Sequence, residues 1–245
     1  MTSKKIPRLV NAPHVFCPGC GHGIVNRLIA EVIEELGYDR KTILTLGVGC
    51  SWNMTRYWGG DFLQAAHGRG AACATGVKVA RPDLLSIAYQ GDGDAYVIGL
   101  SETLNAAYRN TPISVFVINN NNFAMTGGQM SWTTMSGQIT ATSPAGRDVA
   151  KTGFPIRVPE IIADFENIAY VARGSVHSVK EIHKLRRYVK NAVEAQLSGE
   201  GYSLVEILAP CPTNWGMDIE ASINWMEKTV LPYYKLGELK NRREK

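Results

Sequence analysis

The chain has 245 residues, 45% of them hydrophobic and 20% charged, which is enough apolar material to bury a full core and is most simply one domain. Its formal charge of +4, with acids and bases interspersed, gives no reason to expect a nucleic-acid partner. The start MTSKKIPRLV lacks the apolar stretch of a signal peptide, and nowhere do about 18 apolar residues run together, so a cytoplasmic protein without a membrane partner is expected.

Residues 1–16 read as an N-terminal arm with little structure of its own. Cys17-Pro18-Gly19-Cys20-Gly21-His22 follows, and in a chain of this class a CxxC is more often metal-binding or redox-active than a structural disulfide. A thioredoxin-like motif needs a preceding strand, and none is visible. A helix does follow, with Val25, Leu28, Ile29, Val32, Ile33 and Leu36 on one face. His22 has two readings, a polar group at the start of that helix or a neighbour of a metal. Residues 42–48 read as a buried strand ending in Gly47-Val48-Gly49-Cys50-Ser51. His67 stands in a strand-to-helix loop, where a histidine is poised near phosphate or simply solvated. Cys73 lies in a run of small residues and reads as a helix packed on a sheet.

Two apolar runs, residues 84–89 and 113–118, frame the centre of the chain. The first stops at Gly91-Asp92-Gly93-Asp94 and the second at four asparagines, 119–122. Between them Val97, Ile98, Leu100, Leu104, Ala107 and Tyr108 recur at helical spacing, so the unit reads strand, helix, strand. Parallel strands carry their loops to one carboxyl edge, where ligands gather. The acidic and asparagine loops therefore face one site. Glycines 91 and 93 allow backbone to approach a phosphate. Asp92, the Asn120 amide oxygen and a carbonyl near Asn122 offer hard oxygen ligands to Mg²⁺, which completes its octahedron with phosphate and water.

Further on, His177 and His183 flank a helix rich in Lys and Arg and read as surface groups. Residues 203–208 form a last strand before Pro210-Cys211-Pro212. Cys17, Cys20, Cys50 and Cys211 are thereby nominated as one ligand set, two of them followed directly by proline. Four thiolates suit zinc or a 4Fe–4S cluster. Iron–sulfur is favoured, because the spacing is too scattered for a zinc ribbon and Cys50 sits beside the diphosphate site. The layout expected is the arm 1–16, a single domain over 17–232 and a charged tail over 233–245, mobile from 240 on.

FCPGCGHG, GVGCS, AAHGRG, YQGDGD, NNNNFAMTGGQ, TTMSGQ, TSPAGRD and APCPTNWG together resemble the thiamine-diphosphate-binding β subunit of 2-oxoacid:ferredoxin oxidoreductases, over about residues 17–215. The resemblance implies a mostly parallel α/β sheet with helices on both faces, the thiamine diphosphate-binding fold of pyrophosphate type. It implies thiamine diphosphate, with Mg²⁺ on Asp92, Asn120 and the Asn122 carbonyl, and a 4Fe–4S cluster on the four cysteines. Cys50, Ser51, His67, Gly68 and Arg69 match segments lining the cofactor, as do Gly91, Gly93 and Asp94 of the acidic loop. Thr126, Gly127 and Gly128 match the thiazolium side. His67, Arg69 and Thr126 are the candidates for direct involvement in a reaction that the cofactor drives.

The activity implied is oxidative decarboxylation of a 2-oxoacid to acyl-CoA and CO₂, with coenzyme A as co-substrate and ferredoxin as electron acceptor. An α subunit would supply the missing half of the active site, with γ and ferredoxin-like δ subunits as further partners. Some relatives that use 2-oxoglutarate carry a lysine where this chain has Asn53, which leans the reading toward branched-chain substrates such as 2-oxoisovalerate. Pyruvate and 2-oxoglutarate stay open. A non-oxidative thiamine-dependent decarboxylase and a zinc-stabilised binding module are the competing classes.

Overall fold

Alternating apolar side chains put both faces of the central strands under cover, the pattern of a parallel sheet layered by helices. The structure is a computed structural model and describes residues 5–242. Its strands are β1 (Thr42–Leu46), β2 (Asp61–Gln64), β3 (Leu85–Gly91), β4 (Ser114–Asn119), a small antiparallel hairpin of β5 (Asn122–Phe123) and β6 (Gln129–Met130), then β7 (Tyr170–Ser175), β8 (Ser203–Leu208) and β9 (Gly237–Asn241). Seven of them form one sheet in the order β2-β1-β3-β4-β8-β7-β9. All neighbours are parallel except β7 and β9.

The helices are α1 (His22–Glu35), α2 (Gly70–Ala80), α3 (Leu100–Tyr108), α4 (Val149–Thr152), α5 (Val158–Ala163), α6 (Val179–Leu197), α7 (Pro212–Trp215), α8 (Ile219–Trp225) and α9 (Leu231–Tyr233). Phe116 and Ile118 of β4 face a core built with Val25, Ile29 and Ile33 of α1 and Leu185 and Val189 of α6. Val115 and Val117 face the other layer, with Ala71 and Ala74 of α2, Ala106 and Ala107 of α3, and Val158 and Ile162 of α5. The central strands β3, β4, β7 and β8 thus each feed two cores with a period of two. Burying a side chain of this kind contributes about 1.5–3 kcal/mol against leaving it in water.

The helical segment between β3 and β4 differs from its sequence reading. A wide π turn over Gly93–Ile98 precedes α3 and rotates the register, so Ala95, Tyr96, Thr103, Ala106 and Ala107 turn inward while Ile98 and Tyr108 are exposed. The tail also differs. Over Gly237–Asn241 it pairs with β7, and Lys240 Nζ donates to the Ala163 carbonyl at 3.0 Å and to that of Phe165, which ties down part of the segment expected to be mobile. Residues 1–4 of the arm and 243–245 of the tail lie outside the described residues. The rest of the arm is anchored, with Leu9 buried, its N–H on Glu34 at 2.9 Å, and Val10 bridged to Trp58. Cys73 is half-buried in α2. His183 is exposed and His177 hydrogen-bonds Ser175 at 2.8 Å.

Candidate functional site

The carboxyl ends of β1, β3 and β4 sit side by side in the sheet, which brings the loops after them to one edge. They line a cavity of about 90 Å³ together with His67 from the loop after β2. Cys50, Ser51, His67, Gly91, Asp92, Gly93, Asp94, Asn120, Asn122 and Thr126 all border it, so most of the residues nominated from sequence meet here. Three do not. The Gly68 N–H is used on Asp94, Arg69 turns away to Glu102 at 2.9 Å, and Gly127 lines the neighbouring cavity.

The two aspartates of the acidic loop do different things. Asp94 has both oxygens occupied by protein donors: Oδ1 by the Gly68 N–H at 2.8 Å and by His67 Nδ1, Oδ2 by the Gln90 amide at 2.6 Å. It orients His67, whose other nitrogen has no partner among the described residues and whose ring borders the cavity. Glycine at 47 is required for this, because a Cβ there would lie 2.1 Å from Asp94 Oδ2. Gly93 is likewise fixed by space, since its Cβ would sit 2.4 Å from the Phe123 ring.

Asp92 is 1% exposed and receives Ser131 Oγ at 2.7 Å and Thr133 Oγ1 on its Oδ2. Burial pushes its carboxyl up to about 6, and the two hydroxyls and the Asn120 N–H pull against that rise. Its Oδ1 faces the side-chain oxygen of Asn120 at 3.2 Å, and that oxygen lies 2.9 Å from the Asn122 carbonyl. Three acceptors converge, and among the described residues the one donor near them is the Asn120 N–H, 3.4 Å from Asp92 Oδ1. An octahedron with ligands at about 2.1 Å has oxygen–oxygen edges of roughly 3.0 Å, so the spacing fits a magnesium ion. Turning the Asn120 amide over places its nitrogen there instead, donating to both acceptors, so the same side chain also satisfies the loop without a metal.

The loop's shape comes from a buried polar chain. Asn121 adopts φ +61°, a left-handed conformation that asparagine tolerates. Its amide donates to Asn119 Oδ1 at 3.2 Å and to the Thr133 carbonyl at 2.9 Å, while Asn119 Nδ2 donates to Glu206 at 3.0 Å. Glu206 pairs with Arg173 on the adjacent strand, and both side chains are fully buried. Arg173 also binds Glu160 at 2.6 Å. Ser131, Thr133, Arg173 and Glu206 hold these loops through buried bonds and were not nominated from sequence. A signal was present, since single opposite charges interrupt two otherwise apolar strands.

Beside this cradle lies a second cavity of about 340 Å³, lined by Cys17, Cys20, Cys50 and Cys211. Cys50, His22 and Asn120 border both voids. The four thiols come from three separate loops and all are free. Burial pushes Cys20 up to about 12 and Cys50 up to about 11, with Cys17 and Cys211 adding to the rise in each case. Asn214 Nδ2 reaches Cys211 Sγ at 3.5 Å. Among the described residues no three His, Cys, Asp or Glu gather as for a single metal ion; the cysteines surround a void instead. A ring of thiols around a void is a donor set that fits a polynuclear cluster. Asn53 lines the same cavity.

His22 occupies the wall between the voids. It is the first residue of α1 but makes no cap; its Nδ1 meets the Tyr89 hydroxyl at 2.6 Å, and burial pushes its imidazole down to about 3, keeping it neutral.

Residues 47–207 match the family described as thiamine pyrophosphate enzyme, C-terminal TPP binding domain. The ketoisovalerate oxidoreductase subunit VorA of Methanothermobacter thermautotrophicus is 39% identical over 227 residues, which is 93% of this chain and 48% of that protein. The 2-oxoglutarate synthase subunit KorB of Archaeoglobus fulgidus is 35% identical over 208 residues, covering 82% of this chain and 71% of that one. The solved structure of 2-oxoglutarate:ferredoxin oxidoreductase from Magnetococcus marinus, with 2-oxoglutarate, coenzyme A and succinyl-CoA bound, superposes with a TM-score of 0.78 at 26% identity. It covers 98% of this chain and 86% of its own. The chain spans about half the length of the ketoisovalerate oxidoreductase subunits it matches.

Proposed function

This chain belongs to the thiamine-diphosphate-binding β subunits of the 2-oxoacid:ferredoxin oxidoreductases, and we propose that it holds the diphosphate, the magnesium ion and the iron–sulfur cluster of an enzyme that oxidatively decarboxylates a 2-oxoacid. The reaction converts 2-oxoacid and coenzyme A to acyl-CoA and CO₂, releasing a proton and an electron pair that reaches ferredoxin one electron at a time. The observation that carries the reading is the shared wall: the acidic and asparagine loops form an oxygen cradle, and Cys50 belongs both to it and to the cysteine cavity.

Asp92, Asn120 and the Asn122 carbonyl would hold Mg²⁺, and Cys17, Cys20, Cys50 and Cys211 would hold a 4Fe–4S cluster. Bound thiamine diphosphate would supply the electron sink for decarboxylation. The chain's own part is positional. Ser131 and Thr133 aim Asp92 into the cradle, Asp94 fixes the ring of His67 toward the diphosphate, and Ser51 Oγ holds the Gly47 carbonyl at 3.0 Å so that the loop carrying Cys50 keeps its place. Thr126, Gly127 and the exposed Met125 form the open rim. The carboxylate that thiamine chemistry needs against the aminopyrimidine ring would come from an α subunit covering that rim, and γ and δ subunits would complete the electron route. Asn53 in the cysteine cavity and the similarity to a ketoisovalerate oxidoreductase subunit support a branched-chain 2-oxoacid; the similarity to 2-oxoglutarate synthase subunits keeps 2-oxoglutarate as the second choice and pyruvate as the third. A cytoplasmic location agrees with the described residues, where no helix is long and apolar enough to cross a membrane. The single domain is proposed over residues 17–232, with Leu9 of the arm packed into its core and β9 (Gly237–Asn241) paired to its sheet.

The test is coenzyme-A-dependent reduction of ferredoxin by the complex co-purified with this chain, with 2-oxoisovalerate, 2-oxoglutarate and pyruvate offered separately. The reading expects the highest kcat/KM with 2-oxoisovalerate. Turnover with 2-oxoglutarate alone would reverse the substrate assignment, and decarboxylation without electron transfer would replace the enzyme class.

A further inference from the structure

His22 has no assigned part in the site, yet it lies in the partition between the oxygen cradle and the cysteine cavity and borders both. Hydrogen-bond accounting fixes which of its nitrogens carries the proton. The Tyr89 side chain is fully buried, and among the described residues its hydroxyl has one partner, His22 Nδ1 at 2.6 Å. A buried phenol must donate its proton to an acceptor, and Nδ1 is the acceptor within reach. Nδ1 is therefore unprotonated and Nε2 carries the hydrogen. The ring cannot swing away, since Phe16 stacks on it at 4.7 Å with planes 14° apart and Tyr89 meets it edge-on. Nε2 has no partner among the described residues and is not sealed from the voids.

We propose that His22 is a fixed hydrogen-bond donor whose Nε2–H points at a negatively charged acceptor in the space between the two voids, with Tyr89 acting as the positioning residue that sets its tautomer. The acceptor is either a sulfur of the cluster or an oxygen of the diphosphate, so the inference rests on the function proposed above. A donor to a cluster sulfur stabilises the more negative, reduced cluster and raises its potential. A donor to a diphosphate oxygen adds affinity of the size of one charge-assisted bond, about tenfold.

The experiment has two stages. Nitrogen-15 NMR of the chain labelled at histidine reads the tautomer without any cofactor: an Nε2–H signal for His22 that is lost in Tyr89→Phe is expected, and an Nδ1–H tautomer would overturn the proposal. The loaded complex is then compared with His22→Phe and His22→Gln, by redox titration of the cluster and by titration with Mg²⁺ and thiamine diphosphate. A more negative cluster potential in His22→Phe identifies the sulfur, and about a tenfold loss of diphosphate affinity identifies the oxygen; His22→Gln, whose amide nitrogen reaches the same distance, restores either. Fully loaded variants unchanged in both properties would overturn the donor role. A wild-type complex that binds neither group would instead count against the function proposed above.

Discussion

The oxygen cradle and the cysteine cavity share a wall but are held in opposite ways. In the cradle the two aspartates and the loop asparagine are held by protein partners: Asp92 has two hydroxyls, Asp94 three donors, and Asn121 a bond on each side. Around the cavity four free thiols face one another from three loops, and their main mutual effect is repulsion whenever any of them ionises. The cradle is preorganised by the chain, whereas the thiol ring would be stable as thiolates only with the proposed metal bound. Coordination deprotonates thiols that burial would otherwise keep protonated.

The largest expected effect tests the weaker partner of this pair. Cys211→Ser should abolish cluster retention, read as loss of iron and of visible absorbance, while the chain still binds Mg²⁺ and thiamine diphosphate. Loss of diphosphate binding along with the iron would show that the two regions are not independently built. Next, Arg173→Met leaves Glu206 buried and uncompensated beneath the asparagine loop, and should cost about 3–5 kcal/mol in urea unfolding. The double change Arg173→Met with Glu206→Leu should recover most of that loss, and a double as unstable as the single would mean that an uncompensated buried charge is not the source of it.

A pH effect of up to about 3 kcal/mol should come from Asp92 in the metal-free chain. Its proton leaves at about 6 in the folded state against 3.8 as the ordinary value. Between those values the folded chain holds the extra proton, so stability is full below the lower pH and falls as pH rises through the window. Melting temperature against pH, with and without Mg²⁺, checks this: the metal should remove the decline at the upper end. A rise in metal-free stability over the same window would contradict the burial of Asp92. The smallest effect expected is at Thr133, where Thr133→Val removes one hydroxyl from Asp92 and should weaken Mg²⁺ binding about tenfold without affecting the iron.

The sequence made the two ends of this comparison legible for different reasons. The strand–helix–strand pattern places the acidic and asparagine loops on one edge by topology alone, and glycine and proline beside the cysteines mark them as loop residues. What stayed hidden lacked any periodic signature. Ser131 and Thr133 look like ordinary turn residues until the fold brings them to Asp92. Gly237–Asn241 is charged because edge strands often are, so β9 read as a tail. The apolar face of α3 was misread because a π turn is not visible as a spacing.

Under the proposed function one wall, shared through Cys50, serves a diphosphate cradle and an iron–sulfur cluster. Iron and zinc analysis with an anaerobic EPR spectrum of the chain, purified with whatever accompanies it, tests that most directly. About four irons per chain and a reducible cubane signal that responds to 2-oxoacid and coenzyme A are the predicted result. A colourless protein carrying one zinc, or no metal, would contradict the account.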